Sequence, residues 1–526
     1  VCSSDLKFIC LFQLPTYDEL SLRIQLHIER SMSKDHKSAP NVLFISVDQW
    51  PGHLMGCAGH PVIQTPTLDH LAKLGTRFTR AYAESPICIP SRRSMMTGLS
   101  PRGHGDRSFN PTLPLKNLPL LAQSFRSAGY QSVAIGKLHV YPPRDRIGFD
   151  DVLLAEEGRP KLGAIDDYEM YLASQGHPGE QFMHGMNNND YLNRPWHLDE
   201  ASHVTNWITR EAAKTIKRRD PTRPAFWHVS YTHPHPPLAP LQCYLDMYRD
   251  IHIDSAVHAE WEKSNQIPAL DAVRSYWPVG ENPDKHKQLR QAYYALCTHI
   301  DHQLRIILGT LREEDLLDDT IILFSADHGD MLGDFGLWAK RLFYEGSSAI
   351  PMILIDTAKG QRVKANHVDS RLVGLQDIMP TLLDMAGIDI PSSVEGMSMV
   401  QNKQRQYLFG ECREDSGATR MVHDGRHKLI WYPAGNHFQL FDLEKDPREQ
   451  MNCIDLPAYS AVQKALKDYM ASQLHGADLT WVKEGQLIGF PASAQTFKAD
   501  RAMSGQRGLH FPTPPLDPLG TQVGSP

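Results

Sequence analysis

The chain has 526 residues, 41% hydrophobic and 22% charged, a globular composition that excludes collagenous, coiled-coil and wholly disordered architectures. Its 54 Lys and Arg against 61 Asp and Glu leave a net charge of −7, which argues against a broad basic surface and against nucleic acid as a partner. No apolar run approaches the roughly 20 residues needed to cross a bilayer, so a soluble protein with no membrane partner is expected. Eight cysteines without a C-x-x-C pair favour a reducing, cytoplasmic location.

Val1 to Leu6 back-translates to a common sequencing-adapter string, and Met32 opens a segment that runs straight into the first strand. Residues 1–31 are therefore expected to be a non-native or disordered extension. Val42 to Val47 reads as a buried parallel strand that presents Asp48 at its C-terminal end. Thr65-Pro66, with Leu68, Leu71 and Leu74 at helical spacing and Gly75 as a stop, predicts a helix. The unit repeats as a helix over Leu118 to Ala128 and a strand from Gln131 to Ile135 that closes on Gly136-Lys137-Leu138-His139. Gly158 to Asn206 is rich in Gly, Asn, His and aromatic residues with weak periodicity, and reads as insertion loops that shape a pocket. A long amphipathic helix from about Leu289 to Leu311 leads to a strand, Thr320 to Ser325, ending on Asp327-His328-Gly329. Ile378, Leu382 and Leu383, stopped by Gly387, give a later helix.

This alternation predicts an α/β fold, a mostly parallel sheet flanked by helices over a catalytic domain at 40–390, with function at the carboxyl ends of the strands. After Pro391 the signals become short and turn-separated: Tyr407 to Glu411, Thr419 to Val422, Lys428 to Trp431 and Gln439 to Asp442. They predict a smaller C-terminal α+β subdomain over 391–490 containing an antiparallel sheet. The tail, 491–526, is rich in Pro, Gly, Ser and Gln and is expected to be disordered or laid on the surface.

The segment richest in chemistry is Ser85-Pro86-Ile87-Cys88-Ile89-Pro90-Ser91-Arg92-Arg93-Ser94. Ser91-Arg92 is expected to open a helix from Arg93 to Thr97, which places the cysteine side chain near a helix N-terminus, where backbone amides and the dipole favour an anion. Cys88-Ile89-Pro90-Ser91-Arg92 resembles the C-x-P-S-R formylglycine-generation motif of the sulfatases, within the alkaline phosphatase superfamily, and the resemblance extends from Asn41 to about Asn452. Asn41 to Gln49 resembles the family's first metal-binding strand, Gly136 to His139 its G-K-x-H element and Pro234 to Pro237 its P-H-x-P element. Ser325 to Gly329 resembles the second metal pair, Lys340 to Gly346 keeps the K-x-x-x-Y-E-G spacing, and Leu440 to Pro447 resembles the C-terminal signature.

The resemblance implies an alkaline-phosphatase-like fold and hydrolysis of a small sulfate monoester. Cys88 would be converted to formylglycine by a formylglycine-generating enzyme, and its hydrate would be the nucleophile. Asp48, Gln49, Asp327 and His328, with Cys88, would hold one divalent metal, which stabilises charge on the sulfate oxygens. Arg92 would hold the hydrate and ligand network, Lys137 and Lys340 would bind sulfate oxygens, His139 would assist sulfate release, and His235 would be the general acid toward the leaving oxygen.

Many sulfatases have two adjacent aspartates where this chain has Asp48-Gln49, and asparagine where it has His328. An amide for a carboxylate and an imidazole for an amide weaken the case for calcium, the family metal, and admit manganese or another transition metal. Both pairs also resemble phosphonate monoester hydrolases and choline-sulfatase-like members, so phosphonate monoester or phosphodiester hydrolysis by the same nucleophile is the alternative. A noncatalytic sulfate- or carbohydrate-binding relative should have lost some of Cys88, Arg92, Lys137, His235, Asp327 or Lys340, yet all are present. His233 and the histidines at 177, 184, 197 and 203 read as surface or pocket-wall residues, and Asp330 and Asp334 as loop-capping acids. Oligomeric state is left open, a homo-oligomer included.

Overall fold

Strand β1, Asn41–Asp48, is buried along its whole length, and so are β6, Thr320–Ala326, and nearly all of β5, Ala225–Pro234. Continuous Val, Ile, Leu and Phe suits strands covered on both faces. A computed structural model describes residues 39–157, 166–263, 267–358 and 362–492. The expected extension, 1–31, and residues 493–526 of the tail lie outside the described residues. The remaining strands of the main sheet are β2 (Thr76–Tyr82), β3 (Gln131–Gly136), β4 (Asp151–Leu154), β7 (Met352–Asp356) and β8 (His367–Gly374). Their order across the sheet is β4-β3-β5-β1-β6-β7-β2-β8. The five strands from β4 to β6 are mutually parallel, whereas β7 runs antiparallel to both β6 and β2.

Helices flank this sheet: α1 (Pro66–Leu74), α2 (Cys88–Thr97), α3 (Leu121–Ser127), α4 (Val204–Lys217), α5 (Pro283–Glu313) and α6 (Ile378–Ala386). The first of them begins on Pro66 after Thr65, as the sequence indicates. Helix α5 starts six residues before the periodicity does, because Asn282 caps it by accepting from the Asp284 and Lys285 amides and Pro283 occupies the first position. It packs with α4 over β5, while α6 packs against α2, α3 and β1. Helix α6 ends at Gly387, whose φ of 72° is the left-handed C-cap conformation.

The short strand signals after Pro391 form a second sheet, ordered β12-β11-β10-β9 and antiparallel throughout. Its strands are β9 (Leu408–Cys412), β10 (Thr419–His423), β11 (His427–Tyr432) and β12 (His437–Asp442). Helix α7, Ser460–Gln473, lays Leu466 and Met470 on this sheet in a hydrophobic cluster with Val422, Leu429, Trp431 and Leu440.

Helix α2 begins at Cys88, five residues before the expected Arg93, and two strands escape the sequence reading altogether. Strands β2 and β8, each mixing buried with part-exposed residues, give too weak an apolar run to be read from sequence. The insertion read as loops contains, in its described part, a helix over Asp167–Ser174 that is capped by Asp166 and buries Tyr168 and Leu172. Residues 158–165 of it lie outside the described residues. Of the histidines read as surface or pocket-wall residues, His184 and His203 are buried. Among the described residues no helix is long and apolar enough to cross a membrane.

Candidate active site

Strands β3, β5, β1 and β6 are neighbours in the sheet and parallel, so their C-terminal ends share one edge. Val47 pairs with Ala326, Asp48 with Pro234 and Gly136 with Ser230. The next residues out are Asp48-Gln49, Asp327-His328, His235 and Lys137 to His139. Gly136 lets this happen: its φ is 107°, and a Cβ there would lie 1.8 Å from the Ser230 carbonyl oxygen. Lys340 arrives on the loop between β6 and β7, tied to the cysteine segment by the Arg341 amide, which donates to the Pro86 carbonyl at 3.0 Å. Cys88 is the first residue of α2, a helix buried along its whole length and stopped by Gly98.

All ten residues singled out by sequence therefore meet at one strand edge. The Cys88 sulfur accepts from Lys340 Nζ at 2.9 Å and lies 3.3 Å from His328 Nε2 and 3.9 Å from Asp48 Oδ1. His328 Nε2 is 3.8 Å from Asp48 Oδ1 and 3.6 Å from Asp327 Oδ1. Arg92 ties the group together: Nε donates to Asp327 Oδ2 at 2.9 Å, Nη2 to Asp48 Oδ2 at 3.3 Å, and Nη1 to the Lys137 carbonyl at 2.7 Å and to Ser230 Oγ at 3.0 Å. Lys137 Nζ donates to Asp48 Oδ2 and, at 2.8 Å, to Glu157 Oε1. His139 hydrogen-bonds the Cys88 side chain.

These contacts set the charge states. Burial and the Cys88 sulfur push the Asp48 carboxyl up, but Lys137, His235 and Lys340 outweigh them and hold it at about 2. Burial likewise opposes a charged Cys88, yet Lys340, Lys137 and His328, with the His139 hydrogen bond, bring the thiol well below its ordinary value. Burial and the Asp48 charge raise the Asp327 carboxyl. The position of Cys88 is thus built to carry negative charge in a buried setting.

Ligand atoms of Asp48, Cys88, Asp327 and His328 all lie within 4.8 Å of one another, and all four residues are buried. The contacts of the imidazole with both carboxylates are too long for good hydrogen bonds. Two carboxylates and an imidazole facing one another across a common space form a donor set that fits a divalent cation. Gln49 stands at its border. Its Oε1 accepts from Lys340 Nζ at 2.8 Å, while Nε2 donates to Asp330 Oδ2 at 2.7 Å and to the Tyr191 hydroxyl at 2.8 Å. Those two acceptors fix which way the amide points.

Sequence reasoning missed several supporting residues. Asp330 does cap its loop, accepting from the Leu332 and Ala339 amides, but its second oxygen also orients Gln49. Ser230 links Arg92 to Ser46, whose hydroxyl donates to Ser230 Oγ at 3.0 Å and lies 2.9 Å from His228 Nε2. The available signal was the polar residues interrupting two otherwise apolar strands. Glu156 accepts from the amides of Leu138 and His139, both at 2.8 Å, and Glu157 engages Lys137. The two follow β4 without any recognisable spacing to their partners.

The model of the family described as Sulfatase matches residues 40–388. The chain belongs to the sulfatase family. A second family model, N-sulphoglucosamine sulphohydrolase, C-terminal, matches residues 333–475 of this sulfatase. An arylsulfatase of Clostridium perfringens is 34% identical over 477 residues, covering 86% of this chain and 98% of that protein. A choline-sulfatase of Rhizobium meliloti is 30% identical over 442 residues, covering 80% and 83%. Among solved structures, the phosphonate monoester hydrolase of Agrobacterium radiobacter superposes with a TM-score of 0.72 at 25% identity, covering 82% of this chain and 95% of that one. The sulfatase is a hydrolase of sulfate esters, built on the alkaline-phosphatase-like sheet described above.

Proposed function

We propose that this sulfatase cleaves a small sulfate monoester with Cys88, converted to formylglycine by a formylglycine-generating enzyme, as nucleophile, at a site holding one divalent metal. The observation that carries the reading is the single buried cluster of Cys88, Asp48, Asp327 and His328 with Lys340 Nζ 2.9 Å from the sulfur. The sulfur stands where a formylglycine oxygen would lie. When bound, calcium or manganese at Asp48, Asp327, His328 and the neighbouring Gln49 would supply positive charge against the sulfate oxygens. Lys137 and Lys340 bind those oxygens, and Arg92 keeps both aspartates in place. His139 acts beside Cys88 in sulfate release. His235, buried at the end of β5, donates a proton to the leaving oxygen.

A second reading, phosphonate monoester hydrolysis by the same nucleophile, is favoured by Gln49 and His328, which replace an acid and an amide found in many sulfatases. Matched panels of sulfate, phosphate and phosphonate esters, assayed on protein co-produced with the maturing enzyme, separate the two. Faster turnover of sulfates is expected; a preference for phosphonates selects the second reading, and no hydrolysis of either class overturns both.

A further inference from the structure

Glu157 has no place in the reaction as described, yet it sits among residues that do. It follows β4, with a side chain 10% exposed. Its Oε1 is 2.8 Å from Lys137 Nζ and 3.5 Å from His235 Nδ1. Asn188 Nδ2, from the insertion, donates to Oε2 at 3.3 Å. The preceding Glu156 clamps the Leu138 and His139 amides, which fixes where the end of β4 lies. His235 itself is 2% exposed. Its Nδ1 donates to the Pro236 carbonyl oxygen at 2.7 Å, and the Glu157 carboxylate lies on the same side of the ring at ion-pair distance. Among the described residues its Nε2 is buried and meets no hydrogen-bond partner.

We propose that Glu157 is the positioning residue of the leaving-group acid: its carboxylate takes the Nδ1 side of His235 and so presents Nε2 to the departing oxygen. The inference rests on His235 being that acid. A carboxylate beside an imidazole fixes the ring's orientation and which nitrogen keeps its hydrogen. As the nucleophile oxygen at position 88 bonds to sulfur and the bond from sulfur to the leaving oxygen breaks, the electron pair of the broken bond stays on the leaving oxygen and the Nε2 proton moves to it. The alcohol departs neutral, and His235 is left neutral with its remaining hydrogen on Nδ1, still facing Glu157. Asn188 holds the carboxylate from behind, which gives the insertion a part in catalysis.

The test compares kcat and KM for wild type, Glu157→Gln, His235→Ala and the double variant on sulfate esters graded from acidic phenols to simple alcohols. Near-UV circular dichroism checks that each is folded. Glu157→Gln is expected to lower kcat on alcohol esters by on the order of tenfold to a hundredfold, with KM unchanged and esters of acidic phenols nearly unaffected, since these leave without a proton. On alcohol esters the double variant should be no slower than His235→Ala alone, because the two residues act as a unit. Glu157→Asp, which keeps the charge, should fall between wild type and Glu157→Gln. Equal losses on all esters, a change in KM alone, or additive losses in the double variant would overturn the proposal and leave Glu157 as a partner of Lys137. A His235→Ala variant equally slow on every ester overturns the acid assignment itself, and the inference with it.

Discussion

Two of the buried charge clusters among the described residues are built differently. Near the antiparallel sheet, Asp478 is gripped through both oxygens by two guanidinium groups: Arg107 at 2.8 and 3.0 Å, and Arg420 at 2.7 and 2.9 Å. Arg107 also donates to Glu411 at 2.6 Å, and His475 Nε2 lies 3.0 Å from the same Glu411 oxygen. Each of these carboxylates and guanidinium groups has a close partner of opposite sign. At the edge of the main sheet, by contrast, the Cys88 sulfur, His328 Nε2 and oxygens of Asp48 and Asp327 face a shared space at 3.3 to 3.9 Å, and His235 Nε2 has no partner among the described residues. Buried charge alone therefore does not mark function. The strand-edge cluster differs in that its imidazole and carboxylates face one another beyond good hydrogen-bonding distance, the arrangement that a bound cation would complete.

The largest effect should come from the open cluster. Cys88→Ala is expected to lower turnover by on the order of 10⁴ to 10⁶ while leaving the thermal midpoint and the near-UV spectrum close to wild type. A large loss of stability would show that Cys88 is a packing residue and would erase the contrast. Asp478→Ala should do the reverse. It strands Arg420, which is fully buried, and should cost about 3–5 kcal/mol in a denaturant titration, with kcat per folded molecule retained.

The closed cluster should also govern acid stability. Burial pushes the Glu411 carboxyl up, but His475, Arg420 and Arg107 together bring it from the ordinary 4.5 to about 2. A carboxyl whose value is depressed on folding adds stability above its unfolded value and loses it as pH falls through the folded one. Up to about 3 kcal/mol should therefore disappear between about pH 4.5 and 2, and Glu411→Gln should flatten that part of the stability curve. The smallest effect is His475→Ala. The ring is 24% exposed, so its loss should cost only about 0.5–1 kcal/mol and leave kcat unchanged.

How much of this was legible follows from what each residue depends on. Asp48 and Asp327 could be read as site residues because each ends a buried apolar run, and the sheet then places those runs in register as neighbours. Cys88 and Arg92 lie within one short motif, and Lys137 and His139 follow directly from a strand end. Lys340 could be placed only by resemblance, since its loop is held by hydrogen bonds to Pro86, Met331 and Asp330 that no spacing records. Glu157, Ser230, Tyr191 and Asp330 were not legible. Each acts across space on a residue of another element, and no spacing records such contacts. Strands β2 and β8 escaped for a simpler reason, their partly exposed faces. Arg107, Arg420 and Asp478 look like ordinary surface charges in sequence, and only the packing of the C-terminal elements buries them.

The central claim is that Cys88 is the nucleophile position and works as formylglycine. Peptide mass spectrometry across Ser85 to Arg92, run on the same preparations used for sulfate-ester turnover, tests it most directly. Formylglycine at Cys88 should be present in active protein, and its fraction should rise in proportion to kcat across preparations made with and without the maturing enzyme. Full turnover from protein carrying only unmodified cysteine at that position would contradict the account.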